Sequence, residues 1–286
     1  MRLQGPLYSI AISTFLTPVF ARPKLPPLPT NVTFPTHYAI VVWPSIASDD
    51  AFNPINVLNA LTYWYPQLGM HFSILSATLN PVSTRLLSRS TLPEANATTA
   101  PPSDFGQAIV PTDTLEAVLA RNGTTWVEPY PPDEDPERPH GGNVTKVLSP
   151  IEVLLVPGGG TSRPDRSVEI AFVRQIYPRL HSIFSVCTGA TVLARSGILD
   201  GRRATSNKQG WERVIKTGPK VKWDYQARWV QDGNIWTTAE PAAGTDGAYA
   251  WVESVFGREI ADYLAATVGY TRWRDGANDP FADVWA

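Results

Sequence analysis

The chain predicts a doubly wound α/β fold, in which helices cover both faces of a largely parallel sheet. Three observations carry that prediction. Apolar runs of strand length recur along 286 residues, stretches with helical spacing separate them, and two runs end in glycine-containing turns, VPGGG at 156–160 and VCTG at 186–189.

The first element, Tyr38 to Trp43 (YAIVVW), is a continuous apolar run, the pattern of a strand buried on both faces. Residues 55–65 (INVLNALTYWY) place Ile55, Leu58, Thr62 and Tyr65 at helical spacing, and His71 to Leu79 reads as the next strand. A weaker strand is expected at Gln107–Val110. Ile151–Val156 is then a strand, Val168–Tyr177 a helix with Val168, Phe172, Val173 and Ile176 on one face, and His181–Val186 a strand that stops at Cys187. Thr188–Ser196 reads as a helix closed by Gly197, because glycine accepts the left-handed conformation that ends helices. Arg202–Ser206 and Gly233–Ala239 read as strands, and Thr245–Phe256 as a helix.

A hydrophobic content of 43% over this length supports one domain-sized core. The formal charge is −2 with no long basic run, so neither nucleic acid nor an anionic membrane surface is expected as a partner. His37, His71, His140 and His181 lie far apart and there is one cysteine, so no metal site and no cofactor are expected.

Residues 1–21 carry Arg2, an apolar stretch from Leu7 to Phe20, and Val19 and Ala21 at the positions a signal peptidase prefers. They read as a secretion signal; a first strand or an unstructured end of a cytoplasmic protein is the other reading. Sequons at Asn31, Asn96, Asn122 and Asn143 point toward a secreted glycoprotein with no membrane span after cleavage. Residues 22–36 are a Pro-rich linker, 37–286 the domain, and the Pro- and carboxylate-rich stretch near 118–150 a surface insertion.

Cys187 stands where a strand turns into a helix. In open α/β sheets the carboxyl ends of strands bear the ligand site, and backbone amides at such a turn stabilise an anion, which lowers a thiol's pKa and can hold an oxyanion. The competing reading is a small buried hydrophobe.

Five segments shift that balance: DAFNPINVLN (50–59), VLLVPGGG (153–160), FSVCTGATVLARSGILDGRRATSN (184–207), ARWVQDGNIWT (227–237) and AAGTDGAYAWVESVFG (242–257). Their order and spacing resemble the ThiJ/PfpI superfamily, whose members include the Parkinson-disease deglycase and bacterial isonitrile hydratases. The fungal branch is the most similar, through NIWT and the closing DPFA at Asp279–Ala282. The resemblance implies a flavodoxin-like three-layer α/β/α sandwich, akin to class I glutamine amidotransferases, with a nucleophile elbow. It also implies that Cys187 is the nucleophile, that Thr188 and Gly159 supply oxyanion amides, and that relatives pair as homodimers. Asp50, opening a D-x-x-N-P segment where isonitrile hydratase-like members have D-x-x-G-P, takes the place of an acid that hydrogen-bonds the sulfur; a helix cap is its plainer role.

The departures bear on the substrate pocket, for which Asn53, Gly158, Asn207, Glu240 and Asp246 are the candidates. Asn53 replaces the motif glycine, Asn207 stands where some members carry histidine, and Glu240 falls where a small residue is usual. The plainer roles are a helix cap for Asp246 and a solvated loop residue for Glu240. Trp43, Tyr63, Trp64 and Trp211 are candidate pocket walls, and His181, at the far end of the cysteine strand, a surface or structural residue. The expectation is a cysteine-dependent hydratase or hydrolase acting on a small electrophile, an isonitrile or a reactive carbonyl; the alternative is a non-catalytic descendant that binds a small molecule or senses oxidants.

Overall fold

The computed structural model describes residues 23–85, 105–127, 147–159 and 165–286. The signal-like residues 1–21, the sequons at Asn96 and Asn143, His140, Gly160 and most of the acidic stretch lie outside them.

Seven strands form the central sheet: β1 His37–Val41, β2 His71–Ser76, β3 Asp113–Thr114, β4 Val153–Val156, β5 Ser182–Ser185, β6 Trp229–Asp232 and β7 Ile235–Thr238. Their spatial order is β6-β7-β5-β4-β1-β2-β3, parallel throughout except for the β6–β7 hairpin. β1, β4, β5 and β7 are buried at every residue, as strands covered on both faces must be. The helices are α1 Ser48–Trp64, α2 Leu115–Ala120, α3 Ser167–Ile176, α4 Ala190–Ser196, α5 Trp211–Ile215, α6 Pro241–Phe256 and α7 Arg258–Thr267. α1, α6 and α7 pack together as one layer, and α2, α3 and α4 as another. This is the flavodoxin-like sandwich that the resemblance implied.

Several boundaries move. The segment 107–110 contributes Ala108–Ile109, which pairs with Val82–Ser83 in a separate two-stranded sheet. Arg203–Ala204 likewise pairs with Lys222–Trp223 outside the central sheet. The ends of the expected insertion are ordered: Thr124–Val127 and Val147–Pro150 form an antiparallel pair. The Pro-rich segment packs against the domain, with Phe34 stacked on Phe256 at 4.7 Å and Pro26 and Pro35 accepting hydrogen bonds from Tyr65 and Tyr38.

α1 begins seven residues before the expected start and runs through Pro54. Its buried residues, Asp50, Ala51, Pro54, Val57, Leu58 and Leu61, recur at helical spacing, so one stripe faces the core and Asp50 lies on it. That stripe outweighs the hydrogen bond that proline withholds from the carbonyl of Asp50. Among the described residues, no helix is long and apolar enough to cross a membrane and no group of three or more His, Cys, Asp or Glu side chains is placed to hold a metal ion.

Candidate active site

Four parallel strands deliver the site at their carboxyl ends. β5 leads into Cys187, β4 into Gly158 and Gly159, β1 through a short loop into α1 with Asp50, and β7 into Glu240, the residue before α6.

Cys187 has φ +56°, a left-handed conformation that costs a non-glycine residue roughly 1–2 kcal/mol and persists only where the surroundings enforce it. Here they do. Val186 N–H donates to the Val156 carbonyl at 3.1 Å, Gly189 N–H to the Val186 carbonyl at 2.9 Å, and Ser206 Oγ to the carbonyl of Cys187 at 2.6 Å. Gly189 presses so closely on the carbonyls of Val156 and Pro157 that no side chain fits there. The cysteine therefore sits on a strained elbow, half-buried.

The neighbouring turn is equally tight. Ile46 bridges to Gly159, and Ala47 N–H donates to the Gly158 carbonyl at 3.2 Å, which locks the start of α1 against the turn after β4. Gly158 N–H donates to Asp50 Oδ2 at 3.0 Å, Oδ1 is buried without a hydrogen-bond partner, and the carboxyl lies close enough to the Cys187 thiol for the two to interact. Asp50 caps nothing: the cap position is Ala47, and Asp50 is a buried residue inside the first turn.

Burial pushes the Asp50 carboxyl up to about 7, aided by the charge of Asp49 and opposed by its hydrogen bonds to Cys187 and Gly158. Burial also pushes the Cys187 thiol up, with the Asp50 charge acting the same way and the Thr188 amide opposing. The expectation that amides and a helix dipole lower the thiol's pKa is thus overturned; α4 is only seven residues long, and desolvation beside a carboxyl outweighs it. Both shifts have the same leading cause, burial, so at neutral pH the thiol keeps its proton while the carboxyl is close to its midpoint.

The expected oxyanion donors divide. The Thr188 amide points at the sulfur, whereas Gly159 N–H is committed to Thr188 Oγ1 at 3.1 Å. Asn53 is half-buried and helical, with no left-handed backbone for glycine to relieve. Asn207 is spent on its own loop, where Oδ1 accepts from Gly210 N–H at 2.8 Å.

Asp246 belongs neither to a pocket nor to a cap. It is buried inside α6, accepts from Arg228 at 2.8 and 2.9 Å, from Tyr270 Oη at 3.0 Å and from Trp273 N–H at 2.8 Å. Glu240 is no solvated loop residue: Oε1 accepts from Lys208 N–H at 2.8 Å, Oε2 is buried, and its charge is felt at both Cys187 and Asp50. Burial, more than any neighbour, pushes Glu240 up to about 7.

Of the expected pocket walls, Trp43 is buried with Arg166 stacked on it at 4.5 Å, Tyr63 is exposed, and Trp64 packs on Tyr63 and Tyr263. Trp211, with Trp223 and Tyr225, flanks Lys208. His181 lies at the start of β5, away from the sulfur, and contacts Ser182. Sequence reasoning missed Ser206, Lys208, Arg228 and Asp279; a lysine, an arginine and an aspartate in loop-like text look solvent-facing until the fold buries them.

The fold and site define an α/β protein with a cysteine on a strand-to-helix elbow, paired with a buried carboxyl. Residues 144–254 match the DJ-1/PfpI family, in keeping with the superfamily resemblance read from the motifs. An isonitrile hydratase from Pseudomonas putida is 30% identical over 122 residues, 42% of this chain and 52% of that protein. A Parkinson disease protein 7 homolog from Danio rerio is 29% identical over 121 residues, 41% of this chain and 62% of that protein. The chain thus spans little more than half the length of these curated relatives. The crystal structure of a ThiJ/PfpI family protein from Pseudomonas syringae superposes with a TM-score of 0.58 at 24% identity, over 93% of this chain and 86% of that one, a likeness of fold.

Proposed function

We propose that the protein is a cysteine-dependent hydratase or hydrolase of the fungal branch, acting on a small electrophile such as an isonitrile or a reactive carbonyl. The observation that carries this reading is the strained Cys187 elbow beside a buried Asp50 whose carboxyl is pushed up to about 7. The thiol attacks an electrophilic carbon, the S–C bond forms, and its proton passes through Asp50 to the substrate. With a carbonyl, the electron pair moves to oxygen beside the Thr188 amide. With an isonitrile, sulfur and hydrogen add to the terminal carbon; water then adds, and a formamide leaves as the thiol is restored.

A panel of isonitriles and 2-oxoaldehydes tests the reading. Turnover is expected with at least one class, to vanish in Cys187→Ser, and to fall by roughly 10²–10⁴ in Asp50→Asn with the fold retained. Activity that survives Cys187→Ser removes the mechanism.

Export and homodimer formation are part of the same proposal. Asn31 and Asn122 are exposed, as glycan acceptors must be. Mass spectrometry of protein from its natural source is expected to show an N terminus at Arg22 and modified sequons; a retained Met1 with bare asparagines overturns secretion.

A further inference from the structure

A buried chain of charges runs from α6 to the rim of the site and plays no part in the steps above. Asp246 holds Arg228, and Arg228 Nη1 reaches Asp279 Oδ1 at 3.1 Å; all three side chains are at most 6% exposed. Phe281 N–H also donates to Asp279 Oδ1 at 3.1 Å, while Oδ2 is buried with no donor. Glu240 Oε2 is buried with no donor either, and the two carboxyls lie within hydrogen-bonding reach of each other.

Two carboxylate oxygens with no donor do not face each other as anions. Arg228 does not resolve the conflict, since its single charge already answers both Asp246 and Asp279. Lys208 does not resolve it directly: its Nζ turns to Thr205 Oγ1 at 2.8 Å and the Ala227 carbonyl at 2.7 Å, between the rings of Trp211 and Tyr225. One proton between Oε2 and Oδ2 satisfies both atoms.

We propose that Glu240 and Asp279 share a single proton and act as a positioning pair. The pair ties the segment carrying Ser206 and Lys208 to the C-terminal segment, and it keeps a negative charge away from Cys187 and Asp50. Glu240 holds this segment through the Lys208 amide, and Ser206 in turn holds the strained Cys187 carbonyl. The charged and titratable groups facing Glu240 are Lys208, Asp279 with Arg228 behind it, Tyr225, Asp50 and Cys187. Losing the shared proton places a charge that the thiol and Asp50 both feel, and it raises both. Only the catalytic consequence rests on Cys187 being the nucleophile.

Infrared spectroscopy and Cys187 alkylation by iodoacetamide test the pair without any substrate. At pH 6 the protonated-carboxyl band is expected to lose one group in Glu240→Gln and a different one in Asp50→Asn. Above neutrality Glu240→Gln is expected to alkylate severalfold faster, because the charge that helps to raise the thiol is gone. Asp279→Asn, which removes the carboxyl that adds to burial in raising Glu240, is expected to move the break in the alkylation profile to lower pH. A purely structural clamp does not shift that break. A carboxyl band unchanged in Glu240→Gln means that a cation or water fills the gap, and overturns the proposal, as does a break unmoved in Asp279→Asn. Failure to turn over any isonitrile or aldehyde sinks the enzymatic reading and leaves these two measurements standing.

Discussion

At Gly158 the geometry of the site reduces to a hydrogen atom. A methyl group there lies 2.6 Å from Thr188 Oγ1 and 2.7 Å from both Asp50 Oδ2 and the Thr188 nitrogen, so the acid, the amide donor and the turn all depend on its absence. Gly158 has no positive φ, so alanine suits its backbone and the conflict is confined to the site. Gly158→Ala is therefore expected to fold with a loss of about 1–3 kcal/mol from overpacking, to displace Asp50, and to cut turnover at least tenfold while shifting the pH profile of Cys187 alkylation. A variant with the parental profile and rate shows that Asp50 does not need this seat. Cys187, Asp50 and the glycine turns were legible in the chain because strand-end turns and a motif announce them. Glu240 was a pocket candidate that read as readily as a solvated loop residue, and Lys208 and Asp279 were not singled out for the site, because only tertiary burial separates a charged group in a dry clamp from one in water.

Among the elements, the strands of the central sheet were the most legible and the helix starts the least. β1, β4, β5 and β7 are doubly buried, so their text is apolar without interruption. α1 was read as beginning after the Asn53–Pro54 pair, a usual boundary signal, but its core-facing stripe carries the helix through. α6 similarly starts at Pro241, four residues before the expected Thr245, since proline suits a first turn and Glu240 is the residue before it. That shift alone moves Asp246 from a cap into the helix body, where it faces Arg228. A short error in register thus changes the role of a carboxylate, and the functional reading of loops inherits the uncertainty of helix ends.

For the whole molecule, three buried groups set the stability between pH 4.5 and 7.5. Asp50 and Glu240 titrate near 7 in the folded protein, above their unfolded values near 4, so across this window the native state holds protons that the unfolded chain has released. Their contribution is complete only below about 4 and is lost as pH rises from there through 7. His37 works the other way. Burial, more than the nearby charge of His71, lowers it to about 4, and it sits with Nε2 2.9 Å from Ser73 Oγ. The unfolded chain protonates this histidine near 6.5 and the native state does not, so its contribution is lost as pH falls from 6.5 toward 4. Between 7.5 and 6.5 the two carboxyls are each about half protonated, and below 6.5 they are nearly full but the histidine of the unfolded chain offsets one of them, so the native state holds about one extra proton in both stretches and Tm is expected to climb steadily as pH falls from 7.5 to about 5. The climb should amount to several degrees, on the order of 2–4 °C per kcal/mol for a domain of this size. Asp50→Asn and Glu240→Gln should each reduce the climb above 6.5 and nearly abolish it below, where a single carboxyl then balances His37. A melting temperature that is flat or rising from pH 6.5 to 7.5 contradicts the protonated carboxyls on which both the site chemistry and the clamp depend.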